Sequence, residues 1–161
     1  MKKSTDKTNV IRILEQKKIP YEAHYYGDTE ALSGVEVATT LGQDPSRVFK
    51  TLVTVGASKN NYVFLVPVNG DLDLKKAAKA VGEKSIAMIK SKELLPLTGY
   101  IHGGCSPIGM KKQFVTTVHA TFEDYDTVFF SAGKIGYQVE LAPTDLGKVI
   151  RYNKADIITD I

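Results

Sequence analysis

A glycine-rich loop at residues 99–112 contains the residue types whose spacing points most directly to chemistry. It reads Gly-Tyr-Ile-His-Gly-Gly-Cys-Ser-Pro-Ile-Gly-Met-Lys-Lys. Glycine permits positive φ and close main-chain approach, and the lysine pair adds positive charge nearby. The loop therefore suits an anionic or carbonyl-rich ligand bound by backbone N–H groups. The same residues also fit a tight turn between two strands whose lysines are merely solvated.

The loop differs from the phosphate-binding loops of nucleotide enzymes. Gly104 and Gly109 have the spacing of a nucleoside-triphosphate P-loop, but Met110 occupies the lysine position and no Ser or Thr follows it. A Rossmann G-x-G-x-x-G pattern is also absent. These differences exclude the two commonest nucleotide-binding motifs.

Lys50 is the second candidate for chemistry. It lies in a β-branched and aromatic segment, residues 48–55, that predicts a strand. Alternation along the strand places Lys50 on the same sheet face as Val48 and Leu52, so one face holds an ammonium among apolar neighbours. Such a lysine could guard an exposed sheet edge, or it could point into a pocket and bind a phosphate, a ribose oxygen or a developing oxyanion.

The other reactive residue types form no recognisable catalytic set. His102 and Cys105 lie three residues apart, but no second pair follows at a zinc-like spacing, so we expect no metal and no cofactor. Cys105 lacks an evident base, and Ser106 is not surrounded by a G-x-S-x-G elbow. A second glycine turn at residues 131–136 is either a hairpin loop or the opposite wall of one cleft shared with the first loop.

The elements around these residues predict a mixed α/β domain with one curved, largely antiparallel sheet flanked by helices. Capping signals and apolar spacing predict helices after Thr5 or Thr8 and ending before Pro20, from Ser33 to Gly42, from Asp71 or Asp73 to Gly82, from Ser91 with a limit at Pro96, and near residues 143–150. Strands are expected at 21–26, 48–55, 62–68, 86–88, 114–118, 127–130 and 137–141.

Size and charge place further bounds on the protein. With 161 residues the chain suits a single domain, 1–161, and its net charge of +3 means that nucleic-acid binding needs a local basic patch. A single cysteine fits a reducing cytosol. We expect a cytoplasmic protein without a secretory signal or membrane span.

Four segments together resemble the YbaK/EbsC family of aminoacyl-tRNA deacylases, which is related to the editing domain of bacterial prolyl-tRNA synthetases. They occur in the expected order and the resemblance covers nearly the whole chain: residues 47–53, residues 66–76, the loop at 99–112 and the turn at 131–136.

The resemblance implies a free-standing enzyme that removes cysteine from mischarged tRNA(Pro). A second sieve is needed because a pocket separates small side chains by only about 1–3 kcal/mol. In this family the cysteine substrate is thought to supply its own thiol, which attacks the ester and leaves as a cyclic thioester. The expected partners are the acceptor end of the tRNA and prolyl-tRNA synthetase.

The resemblance also implies the residues of the site. Lys50 is the essential residue, and the backbone N–H groups of Gly103 and Gly104 serve the oxyanion. Substrate-binding positions are Tyr21, Thr51, Cys105, Ser106, Pro107, Ser131 and Gly133. The chain departs from the family pattern at Cys105, usually aliphatic, and at Ile135, where a basic residue often contacts tRNA.

Two other functions remain open at this stage. An Ala-tRNA(Pro) deacylase would use the same fold, but water must attack because alanine has no thiol. A non-catalytic tRNA-binding or regulatory module would keep the fold and work by association alone. Replacing Lys50 distinguishes a catalyst, which loses turnover, from a binder, which loses affinity.

Overall fold

A computed structural model describes residues 7–27 and 33–159. The helices are α1 (Asn9–Gln16), α2 (Gly34–Thr40), α3 (Leu74–Val81), α4 (Ser91–Thr98) and α5 (Pro143–Leu146). The strands are β1 (Glu22–Tyr25), β2 (Phe49–Gly56), β3 (Asn61–Pro67), β4 (Ile86–Met88), β5 (Val115–His119), β6 (Val128–Ser131), β7 (Tyr137–Leu141) and β8 (Asn153–Ala155).

Side-chain caps start the helices where the sequence indicates. The Thr8 hydroxyl accepts the Ile11 N–H, while Thr5, the alternative cap, lies outside the described residues. Ser33 forms a complete capping box with Glu36. Asp73 accepts two N–H groups at the start of α3, which ends at a left-handed glycine. These local contacts explain why the helix starts were predictable.

The strands divide between two sheets. A three-stranded antiparallel sheet has the order β1-β7-β6, and a five-stranded mixed sheet has the order β4-β2-β3-β5-β8. The β2–β3 hairpin is antiparallel, whereas β5 pairs in parallel with both β3 and β8. A parallel bridge between Val48 and Phe129 joins the two sheets. The mixed α/β class is confirmed, with two sheets in place of the single one expected.

The central strand β3 is packed on both faces. Val63 and Leu65 belong to the main apolar core, which α1 and the three-stranded sheet also cover. Tyr62, Phe64 and Val66 point to the other face, into a smaller cluster with α3. Apolar burial on both faces holds the hairpin rigidly, so the direction of side chains on the neighbouring β2 is fixed.

Three boundaries differ from the expectations. Helix α4 continues through Pro96 to Thr98, because a proline near the end of a short helix removes only one hydrogen bond and Gly99, at φ 88°, provides the C-cap. Helix α5 ends at Leu146, just before Gly147, and turns replace the rest. Strand β8 was not expected, because its sequence, Asn-Lys-Ala, has little strand preference.

No helix in the described residues is long and apolar enough to cross a bilayer.

The buried histidine His119 makes the stability of the five-stranded sheet depend on pH. His119 on β5 is only 6% exposed, and its Nδ1 accepts the Ile157 N–H at 3.3 Å. Burial lowers the pKa of His119, and Asp156 partly opposes this effect. The folded state therefore favours the neutral ring.

We predict that the free energy of unfolding falls as the pH drops from about 7 to about 5.5, because the unfolded chain protonates His119 more readily. His119→Gln keeps an acceptor for Ile157 and should flatten this slope. Urea unfolding of both proteins at the two pH values measures the difference. Equal slopes would contradict the prediction.

Candidate functional site

A cavity of about 380 Å³ lies where the two sheets meet. Its lining includes Val48 with residues 49–52 of β2, the start of α2, the end of β6 and the start of β7. The glycine loop contributes His102, Gly103 and Cys105. This volume falls within the range of small-ligand pockets, roughly 300–1,000 Å³. The cavity thus brings together three of the segments singled out in the sequence.

Lys50 lies in this cavity. Phe49 and Val53 point into the main core, so alternation turns Lys50 to the other face of β2, beside buried Val66 across the hairpin. Its side chain is half-buried, and its ammonium has no hydrogen-bond or ion-pair partner among the described residues. Strand β4 pairs only with residues 54–56, so β2 has an open side near Lys50, and this open side borders the cavity. An unpaired cation in a cavity can bind an anionic or oxygen-rich ligand.

The first glycine loop forms a turn at the cavity. The Gly104 N–H donates to the Ile101 carbonyl at 3.0 Å, and Gly103, at φ 88°, occupies the third position of this turn. That position needs glycine in a type II turn. Gly103 lines the cavity, whereas the Gly104 N–H is already bonded within the turn.

The second glycine turn packs directly against the first. A Cβ on Gly104 would lie 3.2 Å from the Ile135 nitrogen and 3.3 Å from Lys134 backbone atoms. The Ile135 side chain lies against Gly103. Ser131, at the end of β6, lines the cavity, and its Oγ accepts the Gly133 N–H. The two loops therefore form adjoining walls of one cavity.

Tyr100 contacts both glycine loops and holds them in place. Its hydroxyl donates to the Ile108 carbonyl through a short hydrogen bond. Its ring lies against Gly133, where an added Cβ would be 3.1 Å from Cε1. Burial raises the pKa of Tyr100 to about 12, so the hydroxyl keeps its proton and remains a donor.

Cys105 lines the cavity but is buried. Burial raises the pKa of its thiol to about 12, so the reactive thiolate is scarce at neutral pH. This environment suits a small packing residue and not a nucleophile.

The remaining residues implied by the family are arranged in two groups. Thr51 lines the cavity, and its buried hydroxyl has no partner among the described residues. Four lie outside the lining: Tyr21, whose hydroxyl donates to Glu15; Ser106, whose Oγ accepts the Ile108 N–H; Pro107, which is buried; and Gly133.

Sequence reasoning did not assign several polar residues of the lining to a substrate site. Gln138 is buried and exchanges two amide hydrogen bonds with Gln43, at 2.7 and 3.0 Å. Tyr137 and His102 also line the cavity. The available signal was proximity: His102 lies beside Gly103, and residues 137 and 138 directly follow the second glycine turn.

One group of side chains in the described residues could hold a metal ion, and it lies away from the cavity lining. The ligand atoms of Glu22, His24 and Glu140 lie within 4.8 Å of one another on the three-stranded sheet. His24 is 2.9 Å from Glu140, and Arg47 is 4.0 Å from the same carboxylate. Ion pairing and hydrogen bonding within the protein account for this group.

The comparison with known families decides the relationship. The model of the aminoacyl-tRNA editing domain matches residues 29–149. The chain belongs to this family. The resemblance inferred from Lys50 and the glycine loops is therefore confirmed.

Individual editing-domain relatives agree with this placement. EbsC of Enterococcus faecalis, named as a candidate Cys-tRNA(Pro)/Cys-tRNA(Cys) deacylase, is 46% identical over 159 residues, covering 98% of this chain and 97% of EbsC. YwhH of Bacillus subtilis, uncharacterised, is 28% identical over 75% of this chain and 76% of its own length. The crystal structure of a candidate trans-editing enzyme for prolyl-tRNA synthetase shares the fold, with a TM-score of 0.79, 23% identity and coverage of 95% and 99%.

We predict that Tyr100→Phe lowers the free energy of unfolding by about 1–2 kcal/mol, because it leaves a buried carbonyl unpaired. Tyr21→Phe is the matched control, since the same atom is removed from a hydroxyl that bonds to exposed Glu15. Urea denaturation measures both. Equal losses would show that the Tyr100 hydroxyl does not brace the loops.

We also predict that Cys105 in the native protein reacts with an aromatic disulfide reagent at least about 100-fold more slowly than in urea-unfolded protein. Burial removes the thiolate and blocks access to the sulfur. Cys105 is the single cysteine, so absorbance of the released thiolate reports it alone. Comparable rates in the two states would contradict the assignment of Cys105 as a packing residue.

Proposed function

We propose that this protein is a free-standing deacylase that removes cysteine from mischarged Cys-tRNA(Pro). The observation that carries the proposal is the Lys50 ammonium, which has no partner among the described residues and lies in a cavity walled by the Gly103 turn. The 46% identity with EbsC, over nearly the whole of both chains, supports cysteine as the amino acid removed.

In the proposed reaction the substrate thiol is the nucleophile. The sulfur attacks the ester carbonyl carbon, a C–S bond forms, and the C–O bond to the ribose breaks. The thiol proton ends on the ribose oxygen, and cysteine leaves as a four-membered cyclic thioester. The enzyme holds thiol and ester in reacting geometry and stabilises the oxyanion.

Two groups of the protein can meet the developing negative charge. Gly103, in the turn that needs glycine, lines the cavity, and we assign its N–H to the oxyanion. The Lys50 ammonium can bind the same oxygen or the ribose and its phosphate. The Gly104 N–H, engaged with Ile101, instead holds the turn in shape.

The cavity favours cysteine over alanine as substrate. Removal of alanine requires an activated water, for which the lining contributed by the described residues offers exposed His102 but no carboxylate as a base. Cys105 is buried with a raised pKa and does not replace the missing nucleophile. A substrate that brings its own thiol needs neither.

Basic side chains near the cavity suit the acceptor end of tRNA. The Lys134 ammonium lies 5.1 Å from the centre of the Tyr137 ring, which lines the cavity. Lys111 and Lys112, at the end of the first glycine loop, are exposed. We place this activity in the cytoplasm, with prolyl-tRNA synthetase as a partner that could supply tRNA selection.

We predict that Lys50→Ala lowers the rate of cysteine release from Cys-tRNA(Pro) by at least about 100-fold, because it removes charge stabilisation in the transition state. Release of labelled amino acid from Cys-tRNA(Pro) and Ala-tRNA(Pro) is the measurement. Lys17→Ala, an exposed lysine at the end of α1, is the control and should match wild type.

The outcomes separate the three functions. Loss of cysteine alone, abolished in Lys50→Ala, supports thiol-assisted editing. Rapid release of alanine would replace the proposal with a hydrolytic deacylase. Release of neither, with tRNA affinity reduced by Lys50→Ala, would indicate a binding module.

A further inference from the structure

On one side of β2, between two contacts, lies a stretch without strand pairing, here called the gap, and it borders the cavity. On one side β2 pairs with β3 over the whole of Phe49–Val55. On its other side, β4 pairs only with residues 54–56, and the three-stranded sheet makes the single bridge at Val48. Thr51 lies between these two contacts and lines the cavity.

The register shows where the main-chain groups of Thr51 point. In an antiparallel pair, alternate residues bond to the partner strand and the others direct N–H and C=O away from it. Val68 donates to the Val48 carbonyl and Gly56 donates to the Asn60 carbonyl, both at 2.8 Å, so the even-numbered residues of β2 bond to β3. Thr51 is odd-numbered. Its N–H and C=O therefore point to the side of the gap, and no strand pairing in the described residues uses either one.

Contacts at both ends bound the gap. The Val53 carbonyl already accepts the Ile89 N–H at 3.4 Å, and Phe129 occupies the position beside Val48. A peptide strand would compete with both contacts. A single residue facing Thr51 can exchange two hydrogen bonds with it, N–H to O=C in each direction, as in a sheet.

An aminoacyl ester has the two groups that this exchange requires. Its α-ammonium is a donor and its ester carbonyl is an acceptor, and both belong to one residue. We propose that the aminoacyl group docks on Thr51 as a one-residue strand, with its ammonium donating to the Thr51 carbonyl and its ester oxygen accepting the Thr51 N–H. This inference rests on the proposed deacylase function and adds the means by which the site recognises the α-amino group.

The docking also orients the reacting ester. The Thr51 N–H adds a second donor to the carbonyl oxygen, in the same cavity as the Gly103 turn. Lys50 and Leu52 flank Thr51 on the opposite face of the strand from the Thr51 side chain. Recognition through the main chain is independent of the amino-acid side chain, so other lining residues must distinguish cysteine from other amino acids.

The test uses three esters of tRNA(Pro) that share the thiol and differ at the α position: cysteinyl, 2-hydroxy-3-mercaptopropionyl and 3-mercaptopropionyl. They present an ammonium, a hydroxyl and no donor. We expect kcat/KM, corrected for each ester's uncatalysed rate, to fall in that order, and roughly ten- to hundredfold between the first and last. Equal corrected values would overturn the docking on Thr51 and leave the deacylase proposal intact. Failure to release cysteine itself would overturn the deacylase.

A backbone substitution gives an independent readout. Thr51→Pro removes an N–H that the sheet does not use, so the protein should keep its fold and lose activity at least about tenfold. Leu52→Pro is the matched control, because it removes an N–H that bonds to β3 and should prevent folding. A folded, fully active Thr51→Pro would contradict the proposal, and if this variant does not fold, the three esters decide it.

Discussion

The site depends on the direct contact between the two glycine loops. Gly104 lies so close to the backbone of Lys134 and Ile135 that a single Cβ would be 3.2 Å from the nearest atom. Because this contact is between backbone atoms, no side-chain rotation can relieve it. The two loops are therefore held in one relative position. That position places Gly103 and Ser131 on the same cavity. Tyr100, between the loops and the core, fixes it from the other side.

The rigid β2–β3 hairpin allows the Lys50 ammonium to lie in the cavity without a partner among the described residues. An ammonium withdrawn from water favours any conformation that returns it to solvent or to a carboxylate. Alternation along β2, beside the doubly packed β3, directs the Lys50 side chain toward the cavity. Half-burial keeps this desolvation moderate. The stability of the hairpin therefore holds in the cavity a cation that has no partner among residues 7–27 and 33–159.

The parts of this protein that were predictable from sequence are those determined by neighbours in the chain. The Ser33 capping box, the Asp73 cap and the β2–β3 hairpin follow from residues a few positions apart, and the Lys50 face follows from alternation. Division into two sheets could not be predicted, because the bridge between Val48 and Phe129 joins distant segments. The same limit applies to Gln138, whose partner Gln43 is 95 residues away. Tyr21 shows a further limit. The family resemblance implied that it binds substrate, but its hydroxyl bonds to Glu15 and it does not line the cavity.

The parallel pairs on the far side of the five-stranded sheet affect the order in which the molecule can assemble. The β2–β3 hairpin closes a short loop, but Tyr62 pairs with Val115 and Thr117 pairs with Asn153, across long stretches of chain. Closing long loops has a larger entropic penalty, so such contacts form late. Asp73, the cap of α3, also donates its N–H to the Ile157 carbonyl. During synthesis, the half of the sheet that carries Lys50 can thus form first. Until residues 153–157 pack against it, the β5 edge is unpaired and can pair with other strands.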